Sequence, residues 1–94
     1  MIEIIKLTTG EELIADVDHS NGEVTLNKPC QLQMVPSKSD PSQPMMGMFP
    51  YAPYAERHVI EVNIEHVVWT ASPVKELYNQ YNSAFGSGIQ LAGL

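Results

Sequence analysis

The chain is poor in cations. Five Lys or Arg stand against eleven Asp or Glu, a net charge of −6 over 94 residues. That imbalance opposes sequence-independent attraction to a phosphate backbone, so any nucleic-acid role has to come from a local site. A single cysteine, Cys30, excludes an internal disulfide and suits a reducing compartment. No run reaches the ~18 apolar residues of a membrane span, and Met1 leads into a strand pattern without a signal-like prelude, so the expectation is a cytoplasmic protein. Catalytic signatures are missing too: there is no P-loop, nucleophile elbow, CxxC or HExxH, and neither an enzyme nor a cofactor is expected. His19, His58, His66 and Cys30 share no ligand spacing, which leaves no metal site to expect. The pairs Glu11-Glu12 and Asp16-Asp18 read as solvated carboxylates, and Cys30 reads as a buried thiol on the apolar side of its strand.

What is present is strand pattern. The hydrophobic share of 44% is enough for one core, and a chain of this length forms a single domain. Residues 2–7 and 12–18 read as a hairpin around Thr8-Thr9-Gly10-Glu11, where Gly10 supplies the positive φ of a tight turn. In its second arm Leu13, Ala15 and Val17 alternate with Glu12, Ile14, Asp16 and Asp18, the period of a sheet with one buried face. The Asn21-Gly22 pair signals a second hairpin turn into a strand over 23–35. Along it Val24 and Leu26, then Cys30, Leu32 and Met34, are apolar, and Pro29 marks an edge, a bulge or a bend.

Residues 36–55 hold five of the seven prolines and no alternation, and are expected to form a long loop. Its apolar members Met45, Met46, Met48, Phe49, Tyr51 and Tyr54 are expected to lie against the body, a neighbour or a partner. Strand pattern returns over 57–64, with Ile60, Val62 and Ile64 on one side. It then slips by one residue to Val67, Trp69 and Ala71 over 66–71. A slip of one residue turns the face over, which predicts two strands joined by a sharp corner at Glu65-His66. A helix is expected over 73–85, with Ser72 as cap, Pro73 in the first position and a stripe of Val74, Leu77, Tyr78, Tyr81 and Phe85. It is expected to plug an open end of the domain or cross a seam. Residues 86–94 read as a loose tail.

A short hairpin, a longer bent strand, a variable loop and two strands joined at a tight corner form the layout of the Sm-like (LSm) family, which the chain resembles over 2–35 and 57–71. Leu7-x-x-Gly10-x-x-Leu13-x-Ala15-x-Val17 is similar to the first Sm motif, and Val62-x-Ile64-x-x-Val67-x-Trp69 stands where the second falls. As an acidic, helix-tailed version, it looks like the small Sm-like proteins encoded by marine bacteriophages. The resemblance implies a mainly β fold: a small five-stranded bent antiparallel Sm-like (SH3-like) barrel with a C-terminal helix, spanning 1–94, with an SH3-like relative as the alternative. It also implies a closed homo-oligomeric ring, single-stranded RNA as ligand, and the host cytoplasm if a phage encodes it.

The sequence departs from the family in having its helix last and in lacking the usual arginine at the final corner, where Ile64-Glu65-His66 stands instead. An RNA pocket without arginine would draw on His19, Asn21, Asn63 and His66, amides for a base edge and a ring for stacking. The alternative is that Asn21 only forms its turn and His66 is simply exposed. For the subunit interface the candidates are Val59, Ile60, Val62, Val67 and Trp69, with Met46, Met48 and Phe49 from the loop. The rival to an RNA ring is a protein-interaction or structural ring that docks a partner through the Met-rich loop or the tail Gln90-Leu91-Ala92-Gly93-Leu94.

Overall fold

Two hairpins begin the fold, and the turn residues set both. The computed structural model describes residues 1–40 and 42–86. Strand β1 (Ile2–Leu7) returns as β2 (Glu12–Ser20) through Thr8, Thr9, Gly10 and Glu11, where Gly10 takes φ +107° and the Gly10 amide donates to the Leu7 carbonyl at 2.9 Å. Strand β2 returns as β3 (Glu23–Val35) through Asn21 and Gly22 alone, both at positive φ, the two-residue turn whose twist matches that of the strands. Strand β4 (Met45–Pro50) then pairs with the far half of β3, and β5 (Val59–Asn63) with its near half. A 3-10 turn, Ile64–His66, leads to β6 (Val67–Ala71), which pairs with β1. The helix α1 (Lys75–Tyr81) and one π turn, Asn82–Gly86, follow.

The sheet is antiparallel with order β4-β3-β2-β1-β6, and β5 flanks β3 beside β4. Six strands stand where five were expected, and among the described residues β6 pairs with neither β4 nor β5, so the sheet is not closed into a barrel. The expected loop over 36–55 is also corrected, because Met45–Pro50 is a strand. Neither alternation nor β-branching announces it; β3 supplies the ladder, from Cys30↔Pro50 to Val35↔Met45. Of the apolar residues expected to be covered, Tyr51 packs on the inner core and Met48 on the outer cluster, but Tyr54 is 99% exposed.

The anticipated irregularity at Pro29 is a bulge. Ile14 pairs with Cys30 and Asp16 with Asn27, so Ala15 alone faces Lys28 and Pro29. Lys28 takes φ +52° to make it. An extra residue reverses which side the following side chains take. Val24 and Leu26 therefore join an inner core with Ile5, Leu7, Leu13, Ala15 and Val17, whereas Cys30 lies on the opposite, outer face with Ile14.

That outer face is where the helix lies. Leu77, Tyr81 and Phe85 cover Ile14, Cys30, Leu32 and Met48, so α1 lies on the flat of the sheet rather than plugging an end or a seam. Its start is corrected as well: the N-cap is Val74, without a side-chain cap, so Ser72 and Pro73 precede the helix. Of the expected stripe, Val74 and Tyr78 remain exposed. The predicted corner at Glu65-His66 is present as the 3-10 turn. Of the predicted tail over 86–94, Gly86 ends the π turn, and 87–94 lie outside the described residues.

Candidate functional site

The four residues proposed for a base pocket do not converge. Asn21 sits at the tip of the second hairpin. The end of β5 lies beside it, with Glu23 paired to Asn63 and the Ile64 amide donating to the Gly22 carbonyl at 3.0 Å. The Asn63 side chain turns inward to its own backbone, where Oδ1 accepts from the Glu65 amide at 2.9 Å and caps the 3-10 turn. That bond engages the amide oxygen a base edge would need. Three residues after Asn63, the His66 carbonyl accepts from the Thr8 amide at 2.9 Å, so the corner bridges from the second hairpin turn to the first. His66 thus stands by the first turn.

His19 is drawn elsewhere. It pairs with Val24 across the ladder, and its Nε2 lies 3.0 Å from Glu3 Oε1 on β1. All four residues are exposed, and among the described residues Asn21 and His66 have no side-chain hydrogen bond. Glu23 and Glu65 are exposed beside Asn63, which lowers the potential for phosphate there.

The proposed interface residues divide between two places. Val59, Phe49 and Trp69 are about two-fifths exposed, at 43%, 44% and 42%. Val62 and Val67 pack against the inner core, and Met48 packs on the outer cluster under the helix. Ile60 and Met46 are half-buried. Trp69 stands across from Lys6 on β1, and Val68, inserted by a register shift, is 56% exposed beside it.

The residues that sequence reasoning passed over lie at the bulge. Irregular pairing there frees the carbonyls of Asn27 and Lys28, and the Tyr81 hydroxyl donates to both, at 3.0 and 2.9 Å. A buried tyrosine needs such a partner, and buried carbonyls need such a donor. Asn27 Nδ2 donates to the Asp16 carbonyl at 3.0 Å and to Asp18 Oδ2 at 3.3 Å. Lys28 Nζ donates to the Phe85 carbonyl at 3.4 Å. Between bulge and helix lies a cleft of about 220 Å³, lined by Ile2, Asp16, Asn27, Lys28, Tyr81 and Phe85 together with Asn82. Its polar side chains already have partners, Asp16 with the Met1 amino group at 2.6 Å, and they form no nucleophile–base pair. A polar handle on the helix stripe, Tyr81, and the strained dipeptide Lys28-Pro29 were the signals available.

Two groups in this region have raised pKa values. Burial pushes the Cys30 thiol up to about 11, and burial foremost raises the Tyr81 phenol as well. The folded protein then keeps protons that the unfolded chain gives up, so stability falls with rising pH between the unfolded and folded values. The urea midpoint is expected to decline from about pH 9 upward, where an unfolded-chain thiol ionises. Cys30→Ala should make the decline shallower. A midpoint that stays level to about pH 10 would contradict the burial of the thiol.

Among the described residues no cluster of three or more His, Cys, Asp or Glu groups can hold a metal ion, and no helix is long and apolar enough to cross a membrane. Fold and surface together define a class: a small antiparallel β protein with a helix on one face and unpaired strands at both ends of its sheet. No protein-family model matches the sequence, and no curated protein matches it either.

Proposed function

We propose that the chain is a non-catalytic, Sm-like subunit that completes its sheet with copies of itself, β6 of one subunit against the β4 and β5 border of the next, in a closed homo-oligomeric ring. One observation carries this reading: consecutive strands β5 and β6 end up at opposite ends of an open sheet, each with an unpaired border. Such borders are templates for another strand, and a head-to-tail contact repeated by rotation closes a ring. Exposed Val59 on one border and Val68 and Trp69 on the other give the contact apolar surface.

Single-stranded RNA is the ligand that the family likeness implies for such a ring. Asn21 and His66 are the residues left free to meet it, each subunit adding one weak site and the ring supplying avidity. Fluorescence anisotropy with labelled oligo-U and oligo-A at low salt tests this. The expected result is saturable binding that weakens in Asn21→Ala together with His66→Ala; no saturation at low salt, where attraction is greatest, would overturn the RNA role. The rival, a ring that docks a protein through 45–54, draws on the exposure of Met45 at 52% and Tyr54 at 99%, and on the net charge of −6. In that case the oligonucleotides stay unbound while the ring persists.

A further inference from the structure

The sheet has two apolar clusters, and only one of them needs the helix. The inner core of Ile5, Leu7, Leu13, Ala15, Val17, Val24 and Leu26 is closed by strands, with Tyr51, Val62 and Val67 at its margin. The outer cluster of Ile14 and Cys30 is sealed by Tyr81, with Leu77 and Phe85 beside it. Beneath the helix, the ladders Ile14↔Cys30 and Leu32↔Met48 belong to the strands alone.

The hold on the helix is narrow. Even with the π turn that continues it, the helical run over 75–86 is no longer than the ~12–15 residues below which an isolated helix is marginal, so it depends on its docking. Its N-cap, Val74, gives no side-chain bond, and Val74 and Tyr78 face water. Besides the packing of Leu77, Tyr81 and Phe85, the attachments include the Tyr81 hydroxyl on two bulge carbonyls, Lys28 Nζ on the Phe85 carbonyl and Gln80 Nε2 on the Met46 carbonyl at 3.4 Å. Proteins open locally in cooperative units, and a segment with few buried contacts opens first.

We infer that α1 and the π turn after it form a latched cover, which opens as a unit from the outer face while the strands and inner core stay folded, and so exposes the Cys30 thiol and the apolar floor of Ile14, Leu32 and Met48. The latch is the bulge itself, because the carbonyls that bind Tyr81 exist only where Lys28 and Pro29 interrupt the ladder. When closed, the cover buries the thiol and keeps it protonated. When open, the thiol regains ordinary reactivity, and a surface hidden in the closed protein becomes available. The inference stands apart from the assembly proposed above, since it concerns the face of the sheet rather than its borders.

Thiol labelling of the full chain reads this directly, because Cys30 is the only cysteine. The reagent is applied in excess across urea concentrations well below the unfolding midpoint, with hydrogen exchange of the α1 amides followed in parallel. The cover predicts labelling with a much weaker urea dependence than global unfolding, and α1 amides that exchange through the same opening. Tyr81→Phe, which keeps the ring and removes the hydroxyl, should speed labelling about 2-fold to 12-fold, the factor for losing one hydrogen bond. Leu26→Ala should lower the global midpoint yet leave low-urea labelling unchanged. Labelling that follows global unfolding, a rate indifferent to Tyr81→Phe, or α1 amides that stay protected while Cys30 reacts would each overturn the inference.

Discussion

Leu26→Ala is expected to cost about 2–5 kcal/mol of unfolding free energy, the range for deleting a fully buried leucine side chain. Leu26 has no exposed surface, and it pairs with Val17 on one side and Ile60 on the other, so both neighbouring strands lose packing at once. At about 4–8 °C per kcal/mol for a domain of this size, the loss lowers the melting midpoint by roughly 8–40 °C. By contrast, Val68→Ala at an exposed border position should stay within about 0.5 kcal/mol in the isolated subunit. Urea titrations of the two variants make the comparison. A cost under about 1 kcal/mol for Leu26→Ala would mean that the inner core is not built as described.

Trp69→Glu is expected to reduce the assembly to single subunits. The tryptophan is 42% exposed on β6, where a neighbour's strand would have to approach. A carboxylate there must be desolvated in the seam, and charge on an edge strand blocks further pairing. In the lone subunit the same carboxylate stands across the ladder from Lys6, a cross-strand pair that contributes roughly 0.2–1 kcal/mol. The variant should therefore keep its strand signature by circular dichroism while its mass falls to that of one chain. An unchanged mass would remove β6 from the interface.

Local chemistry made part of the fold legible. Gly10 and Asn21-Gly22 place both hairpin turns because positive φ is costly for other residues, and Pro29 marks the bulge because it cannot complete the ladder. The phase slip after Asn63 marks the corner, since alternation has only two faces. The rest depended on partners distant in sequence. Strand β4 is specified by the far half of β3 and not by its own residues, Met45, Met46, Gly47, Met48, Phe49 and Pro50. Leu26 and Cys30 look in phase along the chain, yet an inserted residue sends them to opposite faces without altering the apolar pattern. Unpaired borders along 59–64 and 67–71 were expected from their apolar residues, but a sheet not closed into a barrel was not, because closure depends on how far the sheet twists and bends.

The candidate site was legible only as exposure. All four proposed residues reach the surface, but Asn63 is engaged by a 3-10 turn and His19 by Glu3, and neither contact follows from spacing. Tyr81 was legible as part of the helix stripe, but its hydroxyl's role was not, for a similar reason. Its acceptors arise only once the bulge has formed.

The account depends most on whether the two unpaired borders are completed by sister molecules. Light scattering coupled to size exclusion measures this on the unaltered protein. A mass that is a fixed multiple of the 10.4 kDa chain, constant on dilution, is the predicted result. A mass of one chain at every concentration would contradict it.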